Sequence, residues 1–106
     1  MVLEQTLTAA QKYAKDVIIR EVEQQPTLKD RLDRIARLKR NLSDGLLDQN
    51  LYNTEIDYCI DGFMQKLRKI SPDILGTFRF YGAENSDAKI AVIAAAEEML
   101  RDETDS

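Results

Sequence analysis

The chain has 106 residues, a formal net charge of −4 and 32% charged side chains, with four glycines, two prolines, one cysteine and no histidine. One domain's length, few turn formers and a single thiol exclude collagen-like, low-complexity and disulfide-stapled classes. Without histidine the commonest general base and metal ligand is gone, and the acidic balance opposes a general affinity for nucleic acid or anionic membranes.

Leu3, Leu7, Ala10, Ala14 and Val17 recur in alternating steps of four and three, which predicts an amphipathic helix over residues 2–24, with Ile18 and Val22 widening its stripe. Pro26 ends it, because the residue before a proline is driven out of helical backbone. Such a helix would be ~35 Å long, more than a globule of this size needs. The stripe Leu3, Leu7, Ala10, Ala14 and Val17 is therefore the expected homodimer contact, its alanines permitting close approach.

Thr27 followed by Asp30 reads as a capping box that opens a second helix over 28–42, in which Leu28, Leu32, Ile35, Leu38 and Leu42 share a face. Gly45 supplies a left-handed stop, and Leu46 is expected to fold back onto the last turn. The third helix starts at Asp48 or at Asn53–Thr54 and carries the stripe Tyr52, Ile56, Cys59/Ile60, Phe63, Leu67 and Ile70. Its acids lie early (Glu55, Asp57, Asp61) and its bases late (Lys66, Arg68, Lys69), complementing the helix dipole. Gly62 in mid-helix costs about 1 kcal/mol relative to alanine, which points to a close crossing beside it.

Ser71-Pro72-Asp73 opens one or two further turns. Residues 77–85 read as irregular, with a strand over 77–81 as the alternative. Ser86 caps a last helix from 87 to about 102, turning Ile90, Ile93, Ala94 and Met99 or Leu100 inward, and 103–106 read as a frayed acidic tail. The expected architecture is all-α: a compact bundle of four main helices plus one short helix, in a single domain over 1–102. No uncharged run exceeds the seven residues of 5–11 and 90–96, far below the ~20 a membrane span needs. With no basic-then-apolar leader, a cytoplasmic location is expected.

Candidate chemistry is sparse. Asp57 and Asp61, four apart, are the best carboxylate pair and read as a solvated helix face. In all-α nucleotide pyrophosphohydrolases an E-E-x-x-E motif holds Mg²⁺; here Glu97-Glu98-Met99-Leu100-Arg101 breaks it at the last position. The twelve residues 44–55 imitate a calcium loop, but its third place is Leu46 and its sixth, which needs glycine, is Gln49. Cys59 lies on an apolar stripe and reads as core. No cofactor or metal is expected.

Two features remain. Between Leu28 and Leu42, Lys29, Arg31, Arg34, Arg37, Lys39 and Arg40 stand against only Asp30 and Asp33, a basic segment in an acidic body. Arg34, Arg37 and Arg40 are expected to be solvated, to pair with acids on neighbouring helices, or to meet an acidic partner. Phe78-Arg79-Phe80-Tyr81 reads as the cap of the bundle core or as an interface, with Arg79, Phe80 and Tyr81 as contact candidates. The expected function is a non-enzymatic protein-protein interaction module that presents a helix face: an adaptor, inhibitor or small regulatory subunit. The alternative is a dimeric nucleic-acid-binding regulator using helix 28–42, disfavoured because Asp48, Glu55 and Asp57 would meet the phosphates.

Overall fold

The computed structural model describes the backbone of residues 7–105 and the side chains of residues 7–101. Thr8 opens the first helix: its Oγ1 accepts from the Gln11 amide at 3.1 Å while Gln11 Oε1 accepts from the Thr8 amide at 3.1 Å, a complete capping box. This start makes α1 run Ala9–Gln24, a length of about 24 Å; residues 2–6 of the expected helix lie outside the described residues. The overhang that motivated self-association through α1 is absent from the described residues.

Gln25 alone joins α1 to α2 (Pro26–Ser43), its extended backbone forced by the proline that follows. Pro26 takes the first helical position, where a missing N–H is harmless, and so places Thr27 inside the helix. Thr27 is not the cap. At the other end Gly45, at φ +75°, completes a Schellman motif: Gly45 N–H donates to Leu42 O at 3.2 Å and Leu46 N–H to Asn41 O at 2.9 Å. Leu46 itself is 75% exposed, and Leu47 packs on the core in its place.

Asp48, whose carboxylate accepts from the Asn50 amide at 3.2 Å, caps α3 (Gln49–Ile70), which settles the two possible starts. A turn at Pro72-Asp73 leads into α4 (Ile74–Phe80), so Thr77 to Phe80 are helical, neither irregular nor extended. A second Schellman motif closes α4 at Gly82 (φ +86°), through Gly82 N–H to Arg79 O at 3.0 Å and Ala83 N–H to Phe78 O at 2.8 Å. Then α5 spans Asn85–Asp105, past the expected end near residue 102. Asp87, not Ser86, serves its first turn by accepting from the Glu84 amide at 3.0 Å.

The protein is thus an all-α bundle of four long helices and one short one, without a strand among the described residues and with no described helix long and apolar enough to cross a membrane. Its core joins Leu28, Leu32 and Ile35 of α2 to Ile56, Ile60, Phe63 and Leu67 of α3, and Ala14, Ile18 and Val22 of α1 to α5. The inward face of α5 is Ala88, Ala91, Val92, Ala95 and Ala96; Ile90 is exposed, while Ile93, Ala94, Met99 and Leu100 are only partly buried. Ile93, Met99 and Leu100 pack against the core from its edge, so the expected face is shifted toward the alanines: α5 packs on both α1 and α2, and small side chains allow the close approach.

A single amide ties the two helix starts together. Gln11 Nε2 donates to Asp87 Oδ1 at 2.9 Å, while Asp87 Oδ2 serves Glu84. These hydrogen bonds, led by that from the Glu84 backbone, hold the Asp87 carboxyl below its ordinary pKa despite a small opposing effect of burial. The position between two helix N-termini acts in the same direction. Lys15 Nζ lies 3.6 Å from Glu98 further along both helices, so α1 and α5 run the same way.

Candidate functional site

Because α2 and α3 form an antiparallel hairpin, their outer flanks face each other across a groove of ≈ 660 Å³. From α2 come Asp30, Arg31 and Arg34; from α3 come Tyr58, Cys59, Asp61, Gly62, Lys66 and Lys69. The fold brings these together through helical spacing: at ~100° per residue Tyr58, Gly62 and Lys69 stay within one flank of α3, and Arg31 and Arg34 on one flank of α2.

At the floor of the groove Gly62 leaves room for a guanidinium. A Cβ built there would stand 3.4 Å from Arg31 Nη1 and meet nothing else within 4 Å among the described residues, so the helix crossing expected beside Gly62 is not there; its neighbour is an arginine head from α2. Arg31, Arg34, Lys66 and Lys69 form no salt bridge among the described residues. Lys39, by contrast, lies 3.6 Å from Glu97 and 6.0 Å from the Tyr52 ring centroid. The Tyr58 ring is 75% exposed at the groove's edge. Beside it Cys59 is half-buried; burial pushes its thiol pKa up, the Arg34 charge opposes this, and Glu55 adds to it. A thiol held protonated in this way is a poor nucleophile.

Arg34, Arg37 and Arg40 fan over ~120° of the α2 surface at ~100° per residue. Only Arg34 reaches the groove; Arg37 and Arg40 do not line it. Arg79, Phe80 and Tyr81 gather at the end of α4. Phe78 is buried in the core, whereas Phe80 is 82% exposed. Tyr81 stacks on Tyr13 of α1 with centroids 4.2 Å apart and meets Phe80 edge-on at 5.2 Å. The cluster is therefore divided three ways: Phe78 in the core, Phe80 in solvent, and Tyr81 half-covered by Tyr13.

Of the α1 stripe, Leu3 lies outside the described residues. Ala14 has no exposed surface, Ala10 and Val17 pack against the core, and Leu7 is partly exposed. Ala10, Ala14 and Val17 thus face the chain's own interior. Asp57 is exposed, and Asp61 lies 3.9 Å from Lys89 of α5, an open pair worth little. Glu84 and Asp87, three apart, are a further carboxylate pair, but both Asp87 oxygens are engaged in holding helix starts. Among the described residues no three Cys, Asp or Glu side chains come together to hold a metal ion.

Sequence reasoning singled out Arg34 but missed Arg31, Tyr58, Lys66 and Lys69 as its companions. The signal that finds them is the hairpin: once α2 and α3 are antiparallel neighbours, the residues flanking each apolar stripe on the facing side share a groove. The chain matches no known protein family, curated protein or solved structure.

Proposed function

We propose that the chain is a non-enzymatic interaction module that presents the α2/α3 face to a protein partner, as an adaptor, inhibitor or small regulatory subunit does. One observation carries this reading: four cations without a salt bridge surround an open groove on a chain of net charge −4. Exposed Arg31 and Arg34 beside an exposed tyrosine are residue types enriched in protein interfaces, in which aromatic and arginine side chains dominate. The protonated Cys59 makes the groove unsuited to nucleophilic attack.

Binding of nucleic acid through α2 is the second reading, favoured by the exposure of Arg31, Arg34 and Arg37. Asp30, Asp33 and Asp61 interrupt that surface and would repel a continuous run of phosphates.

The test compares the wild-type chain with Arg31→Gln/Arg34→Gln/Lys66→Gln/Lys69→Gln as bait in native extract, beside a mobility shift on duplex DNA at low salt. A protein retained by the wild type and lost by the variant supports the module. Equal retention by both overturns the groove as its site. A DNA shift that falls steeply with salt transfers the function to the second reading.

A further inference from the structure

The groove does not end at its charges. Leu51, 55% exposed, sits seven residues before Tyr58 and thus about 20° from it around α3, at ~100° per residue. From Leu51 through Tyr58 and Gly62 to Lys69 one face of α3 extends for about 27 Å, at 1.5 Å per residue, and the groove occupies it from Tyr58 onward. Its two ends differ: Leu51 and Tyr58 are exposed surface in the N-terminal half of α3, Lys66 and Lys69 stand toward the C-terminus, and Arg34 near Cys59 and Arg31 at Gly62 lie between them. We propose, resting on the interaction-module reading, that this face takes an acidic amphipathic helix of a partner protein. Its carboxylates meet the four cations, and a large apolar side chain two turns away packs between Leu51 and Tyr58.

Three observations select this occupant. Unpaired cations on both walls match carboxylates spaced along one helix face, and arginine forks suit them in two-point contact. Glu55 beside Cys59, together with Asp30 and Asp61, interrupts the positive potential, which disfavours a uniform polyanion and leaves room for a ligand that is acidic at one end only. Finally, Gly62 adds no side chain of its own to the floor, where the nearest group is the Arg31 head, the mobile end of a flexible chain; an incoming helix that draws this guanidinium onto its carboxylates can lie close to α3. Gly62 is a positioning residue for that approach, which accounts for a glycine kept in mid-helix at a cost of about 1 kcal/mol.

The experiment selects from a display library of helix-forming peptides, about 18 residues or five turns long, on the full chain. The winners are then measured by fluorescence anisotropy against three proteins. These are the wild type, the four-residue Gln variant described above, and Gly62→Gln, which fills the floor without changing charge. Thermal melting checks that each variant is folded. The expected winners carry clustered Asp or Glu and a large apolar residue two turns away, and they bind both variants about tenfold more weakly or worse, roughly 1.4 kcal/mol. Winners without acids that still depend on the groove overturn this inference and leave the interaction module standing. Winners indifferent to both variants, or no winners, overturn both. Displacement of the winning peptide by duplex DNA at equal concentration overturns the inference in favour of nucleic acid.

Discussion

The two packing seams of this bundle are built from different materials. Between α2 and α3 the core is made of large side chains, Leu28, Leu32, Ile35, Ile56, Ile60, Phe63 and Leu67. Where α5 meets its neighbours, its own contribution is Ala88, Ala91, Val92, Ala95 and Ala96, set against Ala14, Ile18 and Val22 of α1. The first seam gains its stability from the area each residue removes from water. The second gains less per residue and relies on the closeness that small side chains permit, with many weak contacts at short range. The large-residue hairpin is also the one that carries the groove on its outer side, so the proposed binding surface rests on the seam with the greater apolar burial.

This contrast can be broken from either side. Phe63→Ala leaves a cavity under the groove and should cost about 3–5 kcal/mol, a large part of the stability of a domain this size, read as a lower urea midpoint. Ala95→Leu tests the other seam by the opposite error: it overfills the approach of α5 and should cost about 1–3 kcal/mol, whereas a leucine at exposed Ile90 should leave stability within about 0.5 kcal/mol. Removing the cap with Thr8→Ala should cost about 1 kcal/mol, measured in the same way.

The clasp at Asp87 adds a pH dependence. Its folded pKa is lowered, so the native carboxylate binds its proton less readily than the unfolded one does. The resulting stabilisation is complete above the unfolded pKa, ordinarily about 3.9, and disappears as pH falls through the lower folded value. Wild type should therefore melt higher than Asp87→Asn at pH 6, with the two curves converging as the pH is brought to 3 and below. The smallest effect has the opposite sign. Gly62→Ala should raise stability by up to about 1 kcal/mol, since the arginine head at 3.4 Å is the mobile end of a flexible chain and can move aside.

The same contrast explains what could be read from the sequence. The faces of α2 and α3 were legible because their large apolar residues are the ones buried. On α5 the eye follows Ile90, Ile93 and Met99, but closeness to two neighbours selects the alanines, whose hydropathy gives little signal. Thr27 failed as a cap because Pro26, two signals competing at adjacent positions, fits the first helical position better. Leu46 failed to fold back because the Schellman geometry fixes its amide, not its side chain, and Leu47 reaches the core from the next position. Arg34 was legible as a cation; its companions were not, because a groove belongs to two helices and each contributes only part of the pattern.

The bridge from Gln11 to Asp87 joins positions 76 residues apart. While the chain is being synthesised, α2 and α3 can close on each other across residues 44–48 as soon as both have emerged. The opening helix meets α2 early but lacks its main neighbour until α5 has followed. Its hydrophobic side, Ala14, Ile18 and Val22, thus waits longest for cover, and a nascent chain halted before α5 is the species that chaperones would meet.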